Sequence, residues 1–166
     1  MTDGIALHGG YSPGVIAAVI ALHMDYYAPA WGFGVKFETK LAREMGEFHD
    51  RLNPARDLFL TALNPEGAVL GSITIDGVLA DTEGAHLRWF IVDRHVTGSG
   101  IGKTLMSEAC RFLDEHGYRR TYLTTFRGLE AARALYERFG FRLVEELDED
   151  PWSGSVGVQR FERRTR

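Results

Sequence analysis

The segment VTGSGIGKTL, Val96 to Leu105, constrains this chain more than any other. Gly98, Gly100 and Gly102 occupy every second position and run into Lys103-Thr104. The preceding run AHLRWFIV is apolar at its end, and Ile101, Leu105, Ala109, Phe112 and Leu113 then repeat at helical spacing. A strand that enters a glycine loop and leaves as a helix is a general device for holding an anion. Glycines let successive backbone N–H groups approach oxyanions, and the helix N-terminus adds roughly half a positive charge. The local chemistry says phosphate or pyrophosphate. It does not say whose.

Two common answers fail on particular residues. A P-loop, G-x-x-x-x-G-K-[ST], needs glycine where Thr97 stands; a dinucleotide fingerprint, G-x-G-x-x-G, needs it where Lys103 stands. The loop also follows strands that read as antiparallel. Neither RRTYLTTF nor FRLVEEL carries an apolar run ending in an aspartate for magnesium. No acidic residue ends a strand about twenty residues later, where a ribose hook would sit.

A chain of 166 residues has the size of one domain, and residues 1–166 are read as one, with no repeat or low-complexity linker to divide them. It is 45% hydrophobic and 25% charged, the balance of a soluble globular protein. A net charge of −4 argues against a general nucleic-acid surface, and the ending RFERRTR reads as a solvated tail. The single cysteine, Cys110, makes no internal disulfide, which fits a reducing cytoplasm. The start MTDGIALHGGY lacks a basic region followed by an apolar run, and Val15–Leu22 is far too short to span a bilayer. The expectation is a soluble, cytoplasmic protein with neither membrane nor nucleic-acid partners.

The remaining elements follow from periodicity and punctuation. Gly4–His8 is a candidate first strand. Ser12 as N-cap and Pro13 at the first helical position predict a helix that ends near Ala28, before Pro29. Phe37, Leu41, Met45 and Phe48 mark one face of a second helix, Val35 to Asp50, closed by Asn53-Pro54. DLFLTAL and AVLGSITI flank the turn Asn64-Pro65-Glu66-Gly67 and predict an antiparallel hairpin. AHLRWFIV, Ala85 to Val92, reads as a central strand. After the glycine-loop helix and Gly117 come the strand RRTYLTTF, a helix over Glu130–Phe139 closed by Gly140, the strand FRLVEEL, and a last strand over Ser155–Glu162. The order is mixed α/β.

At this point the chain resembles the GCN5-related N-acetyltransferases. Their first signature, [QR]-x-x-G-x-[GA], aligns with Thr97-Gly98-Ser99-Gly100-Ile101-Gly102, and their second, AxxLYExxGF, is met by Ala132, Leu135, Tyr136, Glu137, Gly140 and Phe141. The likeness is firm over Ala68–Leu147. GGYSPGV, YYAPAWGF and AHLRWFIVD are also similar to acetyltransferase domains fused to MarR-type regulators. The resemblance implies a mixed, mostly antiparallel sheet of six or seven strands, splayed between the fourth and fifth and flanked by four helices. It implies acetyl-coenzyme A as cosubstrate, its pyrophosphate held by the loop from Thr97 through Gly98, Ser99, Gly100, Ile101, Gly102 and Lys103 to Thr104. Its pantetheine would pair with the backbone of Phe90, Ile91 and Val92. Two residues depart from the pattern. Thr97 replaces Gln or Arg, reducing a side-chain contact to a hydroxyl; Lys103 nearby either restores charge or points to solvent. Leu129 stands where many members have an Asn toward pantetheine.

The implied reaction is acetyl transfer to an amine, of a small molecule or of a protein, in a ternary complex; family members are often homodimers. Tyr136 occupies the family's acid position, and its reference pKa near 10 would keep it protonated to meet a thiolate of pKa about 8.5. Alternatively it is the buried face of a short helix. His86 stands where many members carry Glu and is the candidate proton acceptor, with a reference pKa of about 6.5; equally, it is a strand histidine bonded to a neighbour, with Glu83 or water as carrier. By strand alternation His86, Arg88, Phe90 and Val92 share one face. Tyr26, Tyr27, Trp31 and Phe33 form either an acceptor wall or core. EELDED, Glu145 to Asp150, is either an attractor for a cationic amine or a solvated hairpin. The other histidines lack metal-binding spacing, so no metal is expected. Cys110 reads as packing between Met106 and Leu113. A non-catalytic acyl-coenzyme A sensor on the same fold is the alternative that Thr97 and Leu129 keep open.

Overall fold

Alternating and helical patterns sort the chain onto one seven-stranded sheet, seen in a computed structural model that describes residues 4–150 and 156–166. β1 (Ala6–Gly9) is followed by α1 (Val15–Trp31) and α2 (Val35–Asp50). β2 (Leu58–Leu63), β3 (Val69–Asp76) and β4 (Ala85–Val92) form a meander, after which a single 3-10 turn (Arg94–Val96) leads into α3 (Ile101–Glu115). β5 (Arg120–Phe126), α4 (Glu130–Arg138), β6 (Phe141–Leu147) and β7 (Val158–Arg164) complete the chain. The strand order is β1-β2-β3-β4-β5-β7-β6, and β4–β5 is the parallel pair in an otherwise antiparallel sheet. The expected mixed sheet with four helices is what the chain builds.

The β4–β5 ladder is very short. It pairs Ala85 with Thr121 and His86 with Tyr122, and beyond that point the strands diverge. This is the splay between the fourth and fifth strands.

Apolar side chains pack on both faces of the sheet. On one, Ile73, Ile75 and Leu87 meet Ile101, Leu105 and Met106 of α3. On the other, Phe59, Trp89 and Ile91 meet Val19 of α1 and the stripe Phe37, Leu41, Met45 and Phe48 of α2. That stripe is spaced as an amphipathic helix requires, and every member of it is buried.

Three expectations need correction. Ser12 does not cap α1 with its side chain: its carbonyl accepts from Val15 N–H at 3.0 Å, and Gly14, at φ 89°, is the N-cap. A left-handed residue directly after Pro13 breaks the helical path, so the helix starts beyond it. Nor does α1 stop at Ala28. Pro29 lies inside its last turn, where it forfeits one backbone bond, while Tyr27 and Trp31 hold the turn against Phe126 with ring centroids 5.0 and 5.1 Å apart. Gly32 N–H donates to Ala28 O at 3.0 Å and closes the helix. At the far end, β7 begins at Val158; Ser155, the expected start, lies outside the described residues.

The third correction concerns β4. Its partner β3 spends two steps between Ser72 and Thr74, where β4 spends three between Ile91 and Arg88. The extra residue is a bulge at Trp89, whose φ is 49°. One inserted residue inverts the facing of everything after it. His86 and Arg88 therefore share a face with Trp89 and Ile91, while Phe90 and Val92 join Leu87 on the α3 side. The expected common face of His86, Arg88, Phe90 and Val92 does not exist.

Phe48, fully buried, packs edge-on against Trp89 at 5.5 Å and tilted against Phe59 at 6.3 Å. Phe48→Ala is expected to cost about 3–5 kcal/mol of stability, the range for emptying a large aromatic site. Urea denaturation monitored by tryptophan fluorescence checks this; a loss below about 1 kcal/mol would mean the α2 face is not tightly packed.

Candidate functional site

The glycine loop is built as an anion cradle. Asp93 O accepts Val96 N–H at 3.0 Å and its carboxylate accepts His95 N–H at 2.8 Å, which winds the 3-10 turn ahead of the loop. Gly98 at φ 87° and Gly100 at φ 92° then adopt left-handed backbone that other residues resist. The first bond inside α3 runs from Thr104 N–H to Gly100 O, so the amides of Ile101, Gly102 and Lys103 have no partner within the helix. Ser99 Oγ is buried without a hydrogen-bond partner. A pyrophosphate accepts from such donors, so the cradle fits the group the sequence implies. Gly102 faces the strand: a Cβ there would make ordinary contact with Phe90 Cζ at 3.4 Å and Val92 Cγ2 at 3.5 Å.

From this cradle a groove of about 320 Å³ runs between β4 and α4. Phe90, Ile91, Val92 and the loop from Val96 to Lys103 line one side; Leu129, Ala132 and Leu135 line the other. Every expected cradle or strand residue from Phe90 to Val92 and from Thr97 to Lys103 is on this wall. Thr104 is not: its hydroxyl donates back to Gly100 O at 3.0 Å. Thr97 Oγ1 is similarly turned back, donating to Arg94 O at 3.1 Å.

A second cavity, about 160 Å³, opens on the α1–α2 side of the gap. Its lining includes His23, Lys40, Glu44, His86 and Arg88. Groove and cleft meet at three shared side chains: Tyr27, Phe90 and Tyr136. The Phe90 and Tyr136 rings are 6.1 Å apart, and Tyr136 also packs on Phe161 at 5.7 Å. Tyr136 is thus both packed and placed at the junction. Burial, with a smaller contribution from Tyr26, pushes its phenol well above the ordinary tyrosine range. Burial also raises Tyr27, with Tyr136 and Tyr26 adding to it.

His86 stacks on Tyr122 with ring centroids 4.3 Å apart. Burial, then the charge of Arg88, lowers its pKa to about 3, with Asp76 opposing. The imidazole is therefore neutral at physiological pH and a far weaker base than its reference value of about 6.5 implies. His23, which its spacing in the sequence gave no reason to single out, reaches the same cleft. Its Nδ1 lies 2.8 Å from Val19 O. A carbonyl can only accept, so Nδ1 carries the proton and Nε2 is left as the acceptor nitrogen. Burial brings the His23 pKa down to about 4, the bond to Val19 opposing.

Other candidates lie elsewhere. Cys110 is buried in α3, its thiol pushed up by burial. Trp31 and Phe33 belong to the aromatic packing around Phe126, whereas Tyr26 and Tyr27 reach the groove. Glu146 and Asp148 pair with Arg127 at 2.9 and 3.1 Å, away from both cavities. Among the described residues no group of three or more His, Cys, Asp or Glu side chains could hold a metal ion, and no helix is long and apolar enough to cross a membrane. Lys40 and Glu44 escaped the sequence reading, although they flank the apolar stripe of α2 one turn apart, and that position was the available signal.

A sheet splayed beside a glycine cradle, with a second cavity across the gap, is the architecture of an acyl-transferring domain. The chain belongs to the acetyltransferase (GNAT) family, which its residues 15–141 match. The uncharacterized N-acetyltransferase YhbS of Escherichia coli (strain K12) is 32% identical over 112 residues, 64% of this chain and 62% of that protein. The spermine/spermidine N(1)-acetyltransferase of Bacillus subtilis (strain 168) is 37% identical over 60 residues, 36% of this chain and 40% of that protein. The chain thus matches less than two thirds of the length of these relatives. The solved GCN5-related N-acetyltransferase from Kribbella flavida shares the fold, with a TM-score of 0.75 at 17% identity over 99% of this chain and 100% of that one.

Gly100→Asp places a carboxylate at the cradle and forces an L-residue into φ 92°. It is expected to abolish acetyl-coenzyme A binding in calorimetry, while the wild type binds acetyl-coenzyme A and ignores Mg-ATP. Tight Mg-ATP binding by the wild type would mean that the cradle serves a nucleotide triphosphate.

Proposed function

We propose that the protein moves an acetyl group from acetyl-coenzyme A to a primary amine by direct attack in a ternary complex. The observation that carries this reading is the meeting of the groove and the cleft at Tyr136. A thioester laid along the groove and an amine entering from the cleft would face each other there. The amine nitrogen forms a bond to the acetyl carbon, the carbon–sulfur bond breaks, the nitrogen loses a proton and the thiolate gains one. Strand β4 loses its β5 partner beyond His86, which supports a role for a β4 backbone N–H near Val92 in polarising the thioester oxygen.

Tyr136 has the leaving-group role. Its raised pKa makes a free tyrosinate costly, so the phenol acts first as a hydrogen-bond donor to the departing sulfur. The neutral imidazoles of His86 and His23 bear on the amine's proton as acceptors of a hydrogen bond rather than as charged groups. One specific observation favours the alternative of a coenzyme A sensor without turnover: the Thr97 hydroxyl is spent on Arg94 O rather than on the cradle. Release of free coenzyme A across a panel of amines separates the two. Binding without release for any amine would establish the sensor.

Tyr136→Phe keeps the ring and removes the donor. Turnover is expected to fall by about ten-fold to a thousand-fold with little change in acetyl-coenzyme A affinity. Unchanged turnover would reassign Tyr136 to packing alone.

His86 stays neutral above about pH 3, so it contributes no titration between pH 5 and pH 8. Turnover–pH profiles of wild type and His86→Gln, with saturating acetyl-coenzyme A, are expected to share the shape of their acidic limb, which the acceptor's own ammonium sets. A wild-type inflection near pH 6.5 that disappears in the Gln variant would make His86 a titrating base.

A further inference from the structure

The charges that line the cleft are out of balance, and the imbalance bears on the acceptor. Lys40 and Glu44 of α2 form a salt bridge one helical turn apart. Glu44 also binds Arg88 at 3.1 Å. Arg88 binds Asp76 at 3.2 Å, and Asp76 is gripped from its other side by Arg51 at 2.7 Å. This chain of contacts holds three cations, Lys40, Arg88 and Arg51, against two carboxylates, Glu44 and Asp76. Asp76 is buried behind the wall. Glu44 is the acidic side chain among the described residues lining the cleft, and it already serves two cations.

More positive charge stands close by. Arg160 lies over the Tyr122 ring at 4.1 Å, on the residue that His86 stacks against, and it shares Glu162 with Arg120 and Arg164. The same excess registers at His86: after burial, Arg88, Arg160 and Lys40 all lower its pKa, and Asp76 opposes them.

We propose that the cleft takes an amine that also carries a carboxylate, an amino-acid-like acceptor rather than a polyamine; this rests on the transferase reading above. A second ammonium in the cleft would meet a carboxylate that is already shared. A carboxylate would bring the count to three against three. Lys40 offers three donors and Arg88 five, more than two carboxylates use. The Arg88 guanidinium is held over the Trp89 ring at 4.2 Å, so it is oriented before a ligand arrives. A volume of about 160 Å³ has room for a small acceptor beside these charges.

The test compares amino acids with their own carboxamides, which keep the amine and side chain but lose the negative charge, with spermidine alongside. Wild-type kcat/KM is expected to favour the carboxylate member by about ten-fold or more, the scale of a charge-assisted contact. Lys40→Glu should erase that preference, and Lys40→Met should reduce it; acetyl-coenzyme A affinity serves as the folding control. Equal or better rates with the carboxamides, or spermidine as the best acceptor, would overturn the inference. Calorimetry of the same amino acid and carboxamide pairs on the protein with coenzyme A bound reads the cleft without turnover. Preference in binding without any turnover would overturn the transferase reading and uphold the inference; turnover without preference would overturn the inference alone.

Discussion

The parallel pairing of β4 and β5 stops after two residue pairs, and the rest of the site depends on that interruption. In a continuous sheet the strands would bond to each other and leave no backbone free between them. Here β4 is bent at Trp89, where an inserted residue at φ 49° replaces a regular step and Ser72 Oγ takes the Trp89 carbonyl at 2.7 Å. The added residue strengthens local twist, and beyond His86 β4 runs without a pair on β5. What enters the gap from one side is the groove that leads to the glycine cradle, and from the other the cleft beneath α1 and α2. Phe90 and Tyr136 close the space between them.

Much of this was legible in the sequence, where local pattern and tertiary context agree. Phe37, Leu41, Met45 and Phe48 predict α2 with its observed bounds, because a stripe at that spacing has one way to be buried. Asn64 to Gly67 predict the β2–β3 hairpin because the turn's chemistry is local, and Gly67 N–H donates to Asn64 O at 2.9 Å. The loop and the Tyr136 helix carry two motifs in the right order. Failures occur where a distant contact outweighs the local signal. Pro29 reads as a stop, yet Trp31 finds Phe126, nearly a hundred positions on, and the helix holds its last turn.

The bulge was not legible for a different reason. Trp89 is neither glycine nor asparagine, and nothing in AHLRWFIV marks a residue that will take a left-handed φ. Period-two reasoning therefore put Phe90 beside His86 and lost both the facing of β4 and the identity of the cleft wall. The pairing of Arg88 with Glu44 and Asp76 has the same origin, since it requires knowing which face Arg88 takes. Sequence reading picked out His86, Tyr136 and the glycine loop, passed over Lys40 and Glu44, and missed how one inserted position partitions the residues of β4.

That partition separates charge from reactivity. Burial holds the groups nearest the junction in their neutral forms: Tyr27 and Tyr136 above the ordinary tyrosine range, His23 and His86 far below the ordinary histidine range. The formal charges lie beyond them, chained through Lys40, Glu44, Arg88 and Asp76 to Arg51. An amine must be uncharged to attack a thioester, and a neutral, poorly hydrated junction favours loss of its proton on entry. A charged group elsewhere on the same acceptor would lie in the charged part of the cleft, where donors are already oriented. With the extra residue at Trp89, Arg88 faces Glu44 of α2 while Phe90, two positions on, faces Tyr136, so the charged part of the cleft and the ring at the junction come from opposite faces of one strand.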